Sequence, residues 1–170
     1  MKSFLRLFVL FAFLSACSVA GAQKITTAIQ LNDYLAGITD SLFIGGKEWG
    51  TAFAKANENG TYSTIATHRI RLSRFIDNKR IEVVTMKDIN GSGKLRLAML
   101  DFLSFEARMI REAFQPFEKF TSSTPSEDIQ KAIVSLQNKS AEEGTYLDEV
   151  RAAQIEYGKK NGFTIQEEEE

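Results

Sequence analysis

A helical fold is indicated first by Thr27–Gly60, which reads TAIQLNDYLAGITDSLFIGGKEWGTAFAKANENG. Apolar or small residues recur in it at two interleaved seven-residue spacings, as in one seam of an amphipathic helix. The two series are Ala28, Leu35, Leu42, Trp49 and Ala56, and Leu31, Ile38, Gly45 and Ala52. Thr27 and Gln30 can form a capping box, and Gly60 supplies a stop. We therefore predict one helix over 27–57.

Three further helices follow from the same periodicity and from their caps. Their predicted ranges are 61–87, 93–120 and 125–161. The segment TPSE at 124–127 is the clearest start signal, because a capping threonine precedes a proline at the first helical position. Ser92 is expected to cap the third helix. Pro116 lies inside that helix and predicts a bend or an early end near Phe114, because proline lacks a donor and clashes with the preceding turn.

A strand pair competes with helix over 80–98. Ile81–Met86 is rich in β-branched residues and precedes Asn90-Gly91, a common hairpin turn. Helical spacing on both flanks favours helix. Short connections place long helices antiparallel, so we predict an all-α, up-down-up-down four-helix bundle over 25–162. The last residues, 163–170, are expected to be a solvated acidic tail.

The beginning of the chain indicates export. A short cationic head precedes the apolar run Leu7–Leu14, which is too short to span a bilayer. The residues LSAC at 14–17 match the bacterial lipobox, so 1–16 are predicted to be a lipoprotein signal peptide and Cys17 to carry lipid. Residues 17–24 would then form a tether. Cleavage after Ala22 by ordinary signal peptidase is the alternative, and it would give a soluble secreted or periplasmic protein.

Cysteine use and charge exclude several classes of protein. Cys17 is the only cysteine, so the mature chain can form no internal disulfide. Ser18 follows it in place of Asp and no acidic run comes after, so signals for inner-membrane retention and for surface export are both absent, which favours the periplasmic face of the outer membrane. The chain has 21 basic and 22 acidic residues, a net charge of −1, so it lacks the basic stripe of a nucleic-acid binder. We expect no nucleic-acid partner.

Few residues are candidates for chemistry. His68 is the only histidine, which removes most catalytic and metal-binding arrangements, so we expect neither enzyme activity nor a cofactor. Glu143 and Ser140 are predicted to point inward as a polar layer, and catalysis there would need a second acid. A weak calcium site is conceivable, because three oxygen-bearing residues match the start of an EF-hand loop although the twelfth position is a methionine. These residues are Asp88, Asn90 and Ser92; the alternative is a polar turn.

Four aromatic residues are candidates for lining an apolar pocket. They are Trp49, Phe102, Phe105 and Phe117, placed where the glycine-rich middle of the first helix faces the third. Aromatic residues at helical spacing are mostly core, so packing is the competing interpretation.

Short motifs lie at the starts of the first and third helices and at the end of the fourth. They are Leu31-Asn32-Asp33-Tyr34, then Leu95-Arg96 with Ala98, then Ala153-Gln154, Tyr157, Lys159-Lys160 and Gly162-Phe163. In their order and spacing the chain resembles a family of small bacterial surface lipoproteins, found mainly in spirochaetes and related Gram-negative groups. The resemblance implies a four-helix fold and an envelope location. It implies no activity and transfers no catalytic residue.

Two functions are consistent with these features. The first is a non-enzymatic interaction or scaffold module, tethered to the membrane through lipid on Cys17 and bound to an envelope protein. The second is a periplasmic carrier that holds an apolar small molecule or a lipid between its helices.

Overall fold

The computed structural model describes residues 25–165, which form an all-α fold of four helices packed against each other. Its α-helices are α1 (Ala28–Asn59), α2 (Ala66–Thr85), α3 (Gly93–Met109) and α4 (Ser126–Asn161). A 3₁₀ turn, Tyr62–Ile65, precedes α2, while a π turn, Ile110–Phe114, and a 3₁₀ turn, Gln115–Lys119, extend α3. The signal peptide, Cys17, the tether and the cleavage site at Ala22 lie outside the described residues, as do 166–170 of the tail.

The first helix forms as its sequence predicts. The Gln30 backbone N–H donates to Thr27 Oγ1 at 3.2 Å and the Gln30 side chain accepts from the Thr27 N–H at 3.2 Å, which completes the capping box. Gly60 ends the helix in the left-handed region at φ 72° and donates its N–H to the Ala56 carbonyl at 2.8 Å. The predicted seam is buried at Leu31, Leu35, Ile38, Leu42, Trp49 and Ala56. At Gly45 an added Cβ would lie 2.5 Å from Leu72 Cδ2, so the missing side chain allows α2 to pack closely against α1.

The turn between α2 and α3 excludes the strand pair, because helix continues to Thr85 and resumes at Gly93. Asn90 and Gly91 adopt φ values of 50° and 80°. The Asp88 carboxylate accepts from the Gly91 N–H and from the Ser92 hydroxyl, each at 3.0 Å. Ser92 Oγ in turn accepts from the Ile89 N–H at 3.1 Å. Ser92 stands at the N-cap of α3 as predicted, but its side chain makes no capping hydrogen bond, because its hydroxyl is used inside the turn.

Proline residues affect both the end of α3 and the start of α4. The α-helical part of α3 ends at Met109, one turn before Phe114, and the chain continues in π and 3₁₀ turns that accommodate Pro116. The expected cap of α4 is wrong, because Thr124 Oγ1 accepts from the Thr121 N–H instead and Pro125 stands at the cap position.

The end of α4 folds back as its glycine predicts. Gly162 has φ 77°, and the Phe163 N–H donates to the Gly158 carbonyl at 3.0 Å, as in a Schellman motif. The Phe163 ring meets Tyr157 edge-on, with centroids 6.0 Å apart. Phe163, the second residue after the helix, is thus packed against it, in the part of the tail that the structure describes.

Side-chain contacts fix which helix ends lie together. Tyr34 near the start of α1 donates to Glu82 near the end of α2, and Tyr157 near the end of α4 donates to the Ile89 carbonyl at 2.8 Å. We call this the proximal end of the bundle, where α1 and α3 begin and α2 and α4 end. At the opposite, distal end, a Cβ at Gly60 would lie 2.9 Å from Ser122 Cβ. Among residues 25–165, none of the helices has the length and apolar content to cross a membrane.

Candidate functional site

The four predicted pocket aromatics are all buried in one hydrophobic core, where Trp49 and Phe105 stack on different rings. Trp49 stacks on Phe114 with ring centroids 4.0 Å apart and meets Phe117 edge-on at 5.8 Å. Phe105 instead stacks on Tyr146 of α4 at 4.6 Å. Stacked and edge-on rings at these distances are the arrangement of a packed aromatic core.

In the candidate calcium loop, the side chains of Asp88 and Ser92 form hydrogen bonds within the loop itself. Both Asp88 carboxylate oxygens accept from residues of the turn, and the hydrogen bond from Ser92 holds the pKa of Asp88 below its usual value. Asn90 is exposed, and its backbone adopts the left-handed conformation that the turn requires. In the described part of the chain, no group of three His, Cys, Asp or Glu side chains lies close enough to hold a metal ion.

His68 lies in a groove between α1 and α2. Its Nδ1 is 3.9 Å from Glu48 Oε2, which also accepts from Arg71 at 3.1 Å. Glu48 and His68 line two adjoining cavities of about 170 and 510 Å³. The histidine is therefore a partly buried residue beside one ion pair.

The least expected feature is a pair of carboxyl groups between α3 and α4, formed by Glu106 and Glu143. Glu106 is only 6% exposed, and its Oε1 is buried without a hydrogen-bond partner. Burial, together with the charge of Glu143 and a hydrogen bond to it, raises the pKa of Glu106 to about 8. Burial also raises the pKa of Glu143, which is half-buried. The pair can therefore hold a proton at neutral pH and share it across the two helices.

Cationic side chains near the carboxyl pair are engaged elsewhere. Arg108 donates to the Tyr146 hydroxyl at 3.1 Å, and its guanidinium lies 5.5 Å from the centre of the Phe105 ring. Lys139, one turn before Glu143, contacts Glu142 at 3.2 Å. These contacts are consistent with a carboxyl pair that holds a proton and does not form a salt bridge with Arg108 or Lys139.

Sequence reasoning identified one member of the pair and missed the other. Glu143 is at its predicted inward position, whereas Ser140 is exposed, so the prediction for Ser140 is wrong. Glu106 was missed because acidic side chains are usually exposed. Its spacing from buried Phe102 and Met109, four and three residues away, is the signal that places it on the inner face.

The most exposed large apolar side chains of the described residues lie on α1, α2 and α3. Phe43 and Ile44 of α1 are 75% and 58% exposed. Ile81 and Val84 of α2 are each 64% exposed, and Leu97 of α3 is 59% exposed. Contiguous apolar residues on a surface mark places where another molecule can be bound.

Comparison with known protein families, with curated proteins and with solved structures finds no match to this chain. The class that its fold defines is an all-α protein of four packed helices. The likeness to small surface lipoproteins, drawn from short motifs, stays a prediction.

Proposed function

We propose that this protein is a membrane-tethered, non-enzymatic module of the bacterial cell envelope that binds a partner protein through α1. The observation that carries the proposal is the exposure of Phe43, at 75%, beside Ile44, at 58%. A phenylalanine in water adds little to the stability of the fold. At the centre of an interface the same ring contributes strongly, because its large apolar area is removed from water.

The helix around Phe43 offers room for a partner. Gly46 and Gly50 follow it by one and two turns, and a Cβ built at either would meet no atom within 4 Å. Small residues on a helix allow another backbone to approach closely. Exposed Asp40 and Lys47 flank this face and supply the polar rim typical of an interface. We assign the face to an apolar helix of an envelope protein.

The packing of the aromatic residues favours this proposal over a carrier. A carrier of apolar molecules would place aromatic rings around a space for its ligand. Trp49, Phe105 and Phe117 instead contact other rings of the core at centroid distances of 4.0 to 5.8 Å. Filling that region with a ligand would require these contacts to separate.

The carboxyl pair supports a structural role better than acid–base catalysis. A general acid must come within hydrogen-bond distance of its substrate. Glu106 is 6% exposed and lies between buried Leu103 and Met109, so a substrate reaches it only after α3 and α4 separate. The proton it holds instead neutralises a buried carboxylate.

In-cell photocrosslinking tests the proposal. A photoreactive amino acid replaces Phe43 in one strain and Lys55 in another, and the crosslinked products are identified by mass spectrometry. Lys55 is an exposed position more than three turns farther along the same helix, so it controls for random collisions. We expect one envelope protein to crosslink from position 43 only.

A second measurement ties the product to the apolar face. Phe43→Ser should abolish co-purification of that protein while leaving circular dichroism unchanged, because the side chain is exposed. Identical products from both positions, or none from position 43, would contradict the proposal.

A further inference from the structure

Three asparagines of the sequence are each followed by a glycine. The pairs are Asn59-Gly60, Asn90-Gly91 and Asn161-Gly162, and the three glycines have φ values of 72°, 80° and 77°. An asparagine before glycine is chemically reactive, because the next backbone nitrogen can attack the side-chain amide and glycine has no Cβ to obstruct the attack. The three pairs share this reaction, and the surroundings of each pair decide how readily it occurs.

The reaction releases ammonia and consumes water. At Asn90, the Gly91 nitrogen would form a bond to Cγ, the Cγ–Nδ2 bond would break, and the proton of the attacking nitrogen would end on the departing ammonia. Solvent water then opens the cyclic succinimide at either carbonyl carbon, and its oxygen becomes part of a new carboxylate. One opening gives aspartate, and the other gives isoaspartate, in which the backbone runs through the side-chain carbon.

Hydrogen bonds restrain the pair at the end of α1. Asn59 is the last residue of the helix, and its Oδ1 accepts from the Thr61 N–H at 2.9 Å. The Gly60 N–H donates to the Ala56 carbonyl at 2.8 Å. Attack would therefore break a hydrogen bond of the amide and another of the nitrogen.

The pair at the end of α4 is restrained in a similar way. Asn161 is the last residue of that helix, and its Nδ2 donates to the Tyr157 carbonyl at 2.8 Å. The Gly162 N–H donates to the Gly158 carbonyl. Here too, both reacting groups are hydrogen-bonded to the helix.

Asn90 lies in the turn between α2 and α3, where its amide is unrestrained. Its side chain is exposed and makes no hydrogen bond to any other described residue. Within residues 25–165 it is the one residue other than glycine with a positive φ, at 50°. That conformation is sparsely populated for residues with a Cβ, so rotation out of it costs less than unwinding a helix end.

Charged side chains flank the peptide bond between Asn90 and Gly91. The Gly91 N–H donates to Asp88 Oδ2 at 3.0 Å, so a carboxylate lies beside the nitrogen that must lose its proton. A Cβ added at Gly91 would clash with Lys160 Nζ, so this ammonium group packs against the turn. Positive charge there stabilises the negative oxygen that forms as the amide is attacked.

From this comparison we infer that Asn90 is a modification site, at which asparagine converts to aspartate and isoaspartate without an enzyme. The product places a second carboxylate in the turn that already contains Asp88. Isoaspartate also adds a methylene to the backbone, so the hydrogen bonds from Gly91 and Ser92 to Asp88 cannot both keep their geometry. Modification would loosen the connection between α2 and α3. The inference does not depend on the proposed function.

Ageing of the purified protein tests the inference. The full-length mature protein is kept in mildly alkaline buffer, digested at acidic pH, and mapped by mass spectrometry with electron-transfer fragmentation, which distinguishes isoaspartate from aspartate. We expect product at position 90 to form at least about tenfold faster than at position 59 or 161, because reaction there breaks fewer hydrogen bonds. Equal rates at the three positions, or a faster rate at 59 or 161, would overturn the inference.

The unfolded chain supplies a matched control. In concentrated urea the three pairs lose their different surroundings, so we expect their rates to converge to within about threefold. If position 90 keeps its full advantage in urea, its neighbours in sequence set the rate and the structural inference is wrong.

Lys160→Gln and Lys159→Gln test the contribution of charge at the turn. Both lysines are exposed in the last turn of α4, and Lys160 is the one that packs against Gly91. We expect Lys160→Gln to slow product formation at position 90 several-fold and Lys159→Gln to leave it unchanged, with circular dichroism confirming that both variants stay helical. Equal rates in the two variants would overturn the part assigned to Lys160.

Discussion

Glu106 introduces a titratable group into an apolar environment, where the charged form is costly. Its ordinary pKa is 4.5, and in the folded protein burial beside Glu143 raises it to about 8. Between these values the folded state binds more protons than the unfolded state. The free energy of unfolding therefore falls as pH rises from about 4.5 to about 8, and this contribution is complete below that window.

Replacing the acid with its neutral isostere should remove this dependence. We expect Glu106→Gln to flatten the decline in the free energy of unfolding between pH 4.5 and pH 8. At pH 8 the free energy of unfolding of the variant should exceed that of the wild type by on the order of 2 kcal/mol. Urea unfolding followed by circular dichroism at several pH values measures the effect. Glu149→Gln, at an exposed acid on α4, is the control and should keep the wild-type profile. Parallel profiles for wild type and Glu106→Gln would rule out the protonated pair.

Adjacent positions 42 and 43 separate core from surface on α1. Leu42 is buried in the seam and Phe43 is exposed. We expect Leu42→Ala to lower the free energy of unfolding by about 2 to 5 kcal/mol through lost burial and a residual cavity. Phe43→Ala should change it by less than about 0.5 kcal/mol, as at most surface positions. Urea denaturation of both variants checks the register, and a reversed order of the two effects would refute it.

The limits of a helix could be predicted from the sequence where residues at its own ends determine them. Thr27, Gln30 and Gly60 act locally, so the limits of α1 followed closely from the sequence. Ser92 stands at the predicted N-cap of α3 and Thr124 does not stand at the cap of α4, but neither side chain makes a capping hydrogen bond, because each hydroxyl is hydrogen-bonded within its own loop. That choice depends on loop geometry, which residue type alone does not specify.

Two glycines of α4 should respond in opposite directions to alanine. At Gly158 an added Cβ would lie 2.8 Å from the Phe163 carbonyl oxygen, whereas at Gly144 it would meet nothing within 4 Å. Gly158→Ala should destabilise the protein by about 1 kcal/mol as the folded-back end is displaced. Gly144→Ala should stabilise it by about 0.5 to 1 kcal/mol, because alanine favours helix. Thermal unfolding compares them, and destabilisation by both variants would contradict the stated difference in their surroundings.

On the scale of the whole molecule, periodicity was sufficient to predict the bundle. Four apolar stripes joined by short connections leave few other packings, and the structure confirms the all-α fold. The carboxyl pair was harder to predict, because it depends on which residues different helices bring together. Glu106 and Glu143 are far apart in sequence and meet only because α3 packs against α4.

The proposed lipid anchor at Cys17 can be tested by removing the thiol. Cys17→Ser should release the processed protein from the membrane fraction without changing its helicity, since Cys17 lies eleven residues before α1. Ser18→Ala keeps the lipobox cysteine and should stay bound.

Mass spectrometry of each product identifies the cleavage site and the acyl chains, and so distinguishes lipidation from cleavage after Ala22. Electrostatic contact with lipid weakens in high salt, whereas acyl anchoring should persist. A processed Cys17→Ser protein that stays on the membrane in high salt would refute the lipid anchor.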